Sequence, residues 1–137
     1  MIFEIDNREP TKIKEYFGNF GNIGNIGTRL KNLEQGDFII RDSQENILLL
    51  FERKTIDDLL ASVKDSRYSE QCERYSQLDI PNNKIYYIIE GNLNNLPEDS
   101  IEYKTVYSCI FSLSVKREFS ILLSRNIDNT ITLLQEL

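Results

Sequence analysis

The chain has 137 residues, 40% hydrophobic and 28% charged, with 22 acidic against 16 basic side chains and a formal net charge of −6. This length suits one domain with a sizeable core; no run approaches the ~20 apolar residues of a membrane span, and Glu4 and Asp6 interrupt the N-terminus where a signal peptide needs apolar residues. With no histidine and two cysteines, Ser-His and Cys-His catalysis and zinc sites drop out, and any metal must be held by oxygen, which favours magnesium, manganese or calcium.

Ile2-Phe3-Glu4-Ile5 alternates and predicts a strand ending at Asp6. Glu9-Pro10-Thr11 opens a short helix, since proline suits a first turn; it carries Ile13, Tyr16 and Phe17 and stops at Gly18. Gly18, Gly21, Gly24 and Gly27 recur every three residues. They lack the GxxxxGK[ST] pattern of a phosphate cradle, so a surface loop is the better reading. Strands are predicted over 28–33, 37–42 and 47–53, the last two forming a hairpin through the four-residue loop 43–46. Both hairpin strands are apolar on both faces, which places them inside a sheet covered on both sides.

Thr55 starts a helix with Asp58 as capping partner and Ile56, Leu59, Leu60 and Val63 as its buried face. Asp65-Ser66-Arg67 breaks it before a second helix over 69–78. A turn at 81–83, an apolar strand over 84–90, a loop over 91–99, a helix over 103–116, a strand over 119–123 and a closing helix over 128–137 complete the order. Strands alternating with helices after an initial hairpin predict an α/β sandwich in one domain. Cys72 and Cys109 are read as core thiols of an intracellular, soluble protein.

A four-residue hairpin loop places residues whose numbers sum to 89 opposite one another, so Asp37 faces Glu52. Opposed side chains have Cβ atoms roughly 4.5–5.5 Å apart. Two carboxylates at that separation repel unless one is protonated or a cation lies between them. Lys54, two residues on, shares the face of Glu52. Two anionic ligands for a hard metal beside an ammonium suit phosphodiester hydrolysis. Asp6 and Glu9 could add ligands if the first strand lies beside the hairpin. A bare D…ExK is a common chance pattern, but here the strand before Glu52 is too apolar to end casually in three charges.

The flanking residues also match a family. Asp6-Asn7-Arg8-Glu9, Leu33-Glu34-Gln35-Gly36-Asp37, Glu52-Arg53-Lys54 with Asp58-Leu59, and Ser62 through Tyr68 followed by Gln71 resemble the nuclease domain of the XPF-type structure-specific endonucleases. The resemblance covers essentially residues 1–137. It implies an α/β fold of the PD-(D/E)xK restriction-endonuclease-like group: a three-layer sandwich with a central mixed sheet flanked by helices. It implies Asp37 and Glu52 as metal ligands with Glu9 and Asp6 completing the cluster, Lys54 as the catalytic lysine, and Gly36 and Asp58 as supports of the motif. Arg8, Arg53, Arg67 and Gln71 would contact DNA or order the acidic cluster.

The implied activity is a Mg2+-dependent endodeoxyribonuclease, with Mn2+ as substitute, that cuts branched, flap or fork DNA in repair or recombination. The alternatives are a non-catalytic dimerisation and DNA-docking partner, or a Holliday-junction resolvase on the same fold. The implied partners are branched DNA and a second nuclease domain, as homodimer or heterodimer through the C-terminal helices, in a nucleus or other DNA-containing compartment and with no membrane. The chain departs from the family in two ways: Ser66 stands where glycine is usual, which predicts a less sharp turn, and residues 1–137 do not include the tandem helix-hairpin-helix region usual in the family, as expected of either an excised domain or a minimal stand-alone enzyme. The acidic balance opposes DNA binding over the whole surface, though a local basic face can coexist with it.

Overall fold

In a computed structural model, which describes residues 1–20, 22–23 and 26–137, the chain begins with strand β1 (Ile2–Asp6) and helix α1 (Thr11–Phe20). Then follow β2 (Asn22–Ile23), β3 (Ile26–Lys31), β4 (Phe38–Arg41), β5 (Ile47–Thr55), α2 (Ile56–Lys64), α3 (Arg67–Ser76), β6 (Ile85–Glu90), α4 (Ile101–Phe111), β7 (Ser120–Ser124) and α5 (Ile127–Leu134). Among the described residues the strands make one mixed sheet in the order β2-β3-β1-β4-β5-β6-β7. β1 pairs parallel with β3 and antiparallel with β4, and β5, β6 and β7 run parallel to one another.

Helices cover both faces. Ile39 and Leu50 of the hairpin pack with Ile56 and Leu59 of α2, Cys72 and Tyr75 of α3, and Val106 and Cys109 of α4. Phe38, Ile40 and Phe51 pack the other way, with Phe3 and Ile5 of β1, Ile13 and Phe17 of α1, and Ile131 and Leu134 of α5. The expected three-layer α/β sandwich is therefore present, with the apolar hairpin strands at its centre. Each buried side chain of this size contributes roughly 1.5–3 kcal/mol of transfer free energy.

The hairpin reaches its expected register by a different local route. Ile39 pairs with Leu50 and Ile40 with Leu49, but Arg41 pairs with Ile47, so Leu48 is an extra bulged residue. The turn spans Asp42 to Asn46, closed by Asp42 N–H to Asn46 O at 3.0 Å and by Asp42 Oδ1 accepting from Gln44 and Asn46 N–H. Glu45 takes the left-handed conformation there at φ 67°. One residue more in the turn and one in the bulge offset each other. The pairing sum returns to 89 before the strands reach Asp37 and Glu52.

Other elements differ from expectation. Helix α1 runs through Gly18 to Phe20. Of the glycine repeat, Gly21, Gly24 and Asn25 lie outside the described residues, whereas Gly27 sits in β3, paired with Ile2 and Asn22. Ser62, not Val63, completes the buried face of α2, with its hydroxyl bonded to Leu59 O at 2.9 Å while Val63 is exposed. The predicted single helix over 103–116 ends as α4 at Phe111 and continues as a π-helical turn over Ser112–Lys116. Ser66 adopts the left-handed conformation at φ 69°, so the α2–α3 turn is as sharp as a glycine would make it.

Candidate active site

Three hydrogen bonds donated by backbone N–H groups assemble the acidic cluster at the strand ends. Asp6 N–H donates to Asp37 O at 2.9 Å, and Asp37 N–H donates to Phe51 O at 2.8 Å. Arg53 N–H donates to Asp37 Oδ2 at 2.7 Å. β1 thus lies beside the hairpin, as the cluster requires, and the turn after it returns Glu9 through Glu9 N–H to Asp6 O at 3.0 Å. Gly36, at φ +75°, makes the bend before Asp37; an added Cβ would stand 2.9 Å from Leu50 Cγ and 3.2 Å from Phe51 O. A side chain there meets both steric strain and a left-handed backbone.

Side chains alternate along β5. Leu50 points toward α2–α4 and Phe51 toward α1 and α5. Glu52 and Lys54 follow Leu50, with Lys54 Nζ 3.8 Å from Glu52 Oε1. Arg53 follows Phe51 to the opposite face. Its guanidinium is 13% exposed and grips Glu90 through two bonds of 2.7 and 2.8 Å while reaching Glu9 at 3.3 Å. Thr130 donates to the same Glu90 at 2.6 Å. The structure thus gives Arg53 the cluster-ordering position of the two expected for it, away from solvent.

Excess negative charge marks the cluster. Burial, then the charges of Glu52 and Glu9, push the Asp37 carboxyl well above its ordinary value. Burial also pushes Glu9 up to about 7; Arg53 opposes this while Glu52, Asp6 and Glu90 add to it. Glu9 Oε1 is buried with no hydrogen-bond partner, and a buried, unpaired carboxylate oxygen calls for a cation or a proton. Asp6 differs. Burial alone would raise it, but the Arg8 guanidinium at 2.8 Å and Leu33 N–H at 2.9 Å more than offset that and hold it below the usual carboxylate range.

Among the described residues no three acidic, thiol or imidazole groups already converge as a coordination sphere, and mutual repulsion opposes closer convergence without a neutralising ion. The donor set is hard oxygen, which suits Mg2+ or Mn2+. The orphaned Glu9 oxygen beside Asp37 and Glu52 fits such an ion. Asp6, bonded to Arg8 and Leu33 N–H, also fixes the segment that delivers Asp37.

The remaining expected residues divide by location. Gln71 on α3 donates Nε2 to Glu52 Oε1 at 2.9 Å and belongs to the cluster. Arg8 stands exposed above it, bonded to Asp6 and Leu33 O. Arg67 is 63% exposed and paired with Asp65. Asp58, exposed on α2, gives its backbone N–H to the Thr55 hydroxyl at 3.1 Å, a helix cap made by Thr55. Two buried partners escaped the sequence reading. Glu90 ends an apolar strand in an acid, the same signal that Glu52 gives, and Tyr75 follows Gln71 by one helical turn.

Comparison with known proteins identifies the family. The ERCC4 domain model matches residues 5–137. "Probable crossover junction endonuclease mus81" of Dictyostelium discoideum is 39% identical over 119 residues, covering 80% of this chain and 13% of that protein. "Crossover junction endonuclease MUS81" of Kluyveromyces lactis is 30% identical over 145 residues, covering 100% of this chain and 23% of its own length. "ERCC4 domain-containing protein EP364R" of African swine fever virus (isolate Warthog/Namibia/Wart80/1980) is 30% identical over 100 residues, covering 71% and 27%. The chain therefore spans about a quarter or less of the length of these relatives. The solved structure "XPF from Aeropyrum pernix, complex with DNA" shares the fold at a TM-score of 0.75 and 20% identity, covering 98% of this chain and 62% of that one. With its family model matched over nearly the whole sequence and its acidic motif assembled at the strand ends, the chain belongs to the ERCC4 domain family.

Proposed function

We propose that the chain is the nuclease domain of a divalent-metal-dependent DNA endonuclease that cuts branched DNA such as flaps, forks or junctions. One observation carries the reading: Asp37 and Glu52 come together at adjacent strand ends, beside Lys54 and a buried Glu9 oxygen that has no partner. Asp37, Glu52 and Glu9 would hold Mg2+, with Mn2+ as substitute. Such an ion, when bound, lowers the pKa of a water and stabilises charge on the reacting phosphoryl group. Lys54 offsets phosphate charge and orients the attacking water. Gln71 holds Glu52, Asp6 holds the Asp37 segment, and Arg53 fixes Glu9 from the opposite face. Exposed Arg8 and Arg67, although paired with Asp6 and Asp65, keep further guanidinium N–H groups to meet phosphates in the approaching strand.

The names of the relatives support branched DNA as the substrate, and a DNA-containing compartment as the place of action. The exposed apolar residues Ile101, Tyr107, Phe111 and Val115 on α4 and its π turn support pairing with a second nuclease domain. Retention of every acidic residue of the motif and of Lys54 favours an active enzyme over an inactive docking partner.

The test is cleavage of end-labelled flap, fork and four-way junction DNA beside linear duplex, with Mg2+ or Mn2+. The reading expects cuts at the branch that EDTA abolishes. It expects losses of about a hundredfold or more in Asp37→Ala, Glu52→Ala and Lys54→Ala, with circular dichroism unchanged. Cleavage that survives Asp37→Ala, or none on any branched substrate by folded protein, would sink it.

A further inference from the structure

Glu52 is held from behind by phenol groups outside the acidic motif. Tyr75 on α3, 1% exposed, donates its O–H to Glu52 Oε2 at 2.6 Å. The Tyr75 hydroxyl oxygen in turn accepts Gly36 N–H at 3.1 Å. Gln71, one turn earlier, donates Nε2 to the other Glu52 oxygen at 2.9 Å. The Gln71 Oε1 accepts Tyr87 O–H from β6 at 2.9 Å, which decides which end of the amide faces Glu52.

Packing does not call for these hydroxyls. Both rings lie within the core formed by Leu50, Leu59, Cys72 and Ile85, where phenylalanine would fill nearly the same space. Among the described residues, the hydrogen bonds of the Tyr75 hydroxyl go only to Glu52 and Gly36. One buried oxygen thus bridges the strand that carries Glu52 and the turn that carries Asp37. Burial, then the Glu52 charge, pushes the Tyr75 phenol far above its ordinary value and keeps it a donor.

We propose that Tyr75, assisted by Tyr87 acting through Gln71, is a positioning residue that locks the Glu52 carboxylate to the Gly36-Asp37 turn at the separation a divalent cation needs. The proposal rests on the metal-site reading above. Outer partners of a ligand carboxylate set its orientation, and their loss typically costs about 10–100-fold in metal affinity. The spare lone pairs of Glu52 remain available, since each carboxylate oxygen accepts more than one bond.

The experiment is calorimetric Mn2+ titration of the wild-type chain, Tyr75→Phe and Tyr87→Phe, with metal-free melting curves and branched-DNA cleavage alongside. Tyr75→Phe is expected to melt within a few degrees of wild type yet bind Mn2+ about tenfold or more weakly. Its cleavage should recover at high Mn2+, whereas that of Asp37→Ala should not. Tyr87→Phe, which leaves Tyr75 in place, should show a smaller loss of the same kind and serves if Tyr75→Phe does not fold. Mn2+ affinity equal to or above wild type in both variants would overturn the proposal. Absence of Mn2+ binding by the wild-type chain would instead overturn the metal-site reading beneath it.

Discussion

Arg53 and Lys54 are adjacent cations on opposite faces of the sheet. Alternation along β5 sends Lys54 to the side of Glu52 and Arg53 to the buried carboxylates Glu9 and Glu90. Removing one partner from a buried ionic network strands the others, at a cost of about 3–5 kcal/mol. Arg53→Ala should therefore lose about that much stability in urea unfolding at pH 8, whereas Lys54→Ala should unfold close to wild type. Equal stability of both variants would contradict the assignment.

The cluster also sets a pH response. Glu9 is pushed up to about 7 and Asp37 well above its ordinary value. The metal-free folded state therefore takes up protons, so the linked stability is complete below the unfolded carboxyl values near 4 and is lost as pH rises through about 7. A divalent cation competes for the same oxygens and should raise the melting temperature more at pH 8 than at pH 5.5. A response independent of pH would contradict this. The pairing of Asp37 with Glu52 was legible from hairpin arithmetic. Glu90 and the two tyrosines were not, because a carboxylate at a strand end and a phenol in an apolar run reveal their roles only when the partner strand and helix are placed.

At the scale of elements, the hairpin and the α2–α3 turn show how sequence patterns succeed and fail. The register of β4 and β5 was legible because its apolar residues fix which side chains face each helix layer. The turn was not, since a five-residue connection with a bulge gives the same pairing beyond Ile40 as a four-residue loop without one. The apolar pattern of α2 suggested Val63 as buried, but Ser62 satisfies its hydroxyl on Leu59 O and so tolerates burial. Ser66 carries the left-handed turn without a side-chain cap bond. Such a conformation costs a non-glycine residue about 1–2 kcal/mol, partly offset by the greater freedom of glycine when unfolded. Ser66→Gly should thus stabilise the chain by about 1 kcal/mol, seen as a higher urea midpoint at unchanged slope. A lower midpoint would show that the turn draws support from the serine side chain.

Over the whole molecule, the sheet divides the labour between its faces. The side covered by α2, α3 and α4 carries Asp37, Glu52 and Lys54, and the side covered by α1 and α5 carries the Arg53–Glu90 brace. With a net charge of −6, the proposed DNA contact falls to local cations around the site. The apolar stripe on α4, with Phe111 56% exposed, is the surface we propose for pairing with a second nuclease domain. Phe111→Glu should lower the mass seen by light scattering from dimer to monomer without lowering the melting temperature, and a monomeric wild type would contradict homodimer formation through this face. Fold class was legible at this scale, whereas which residues of α4 face outward was not, because its aromatic residues read as core until the layers are assembled.

These strand ends are proposed to hold a divalent ion, bound by the carboxylates beside Lys54. Calorimetric titration of Mn2+ at pH 8 tests it most directly. Saturable binding is expected of the wild-type chain, with that binding lost in Asp37→Ala and Glu52→Ala and retained in Lys54→Ala. Binding that is absent from the wild type, or that survives removal of both carboxylates, would contradict it.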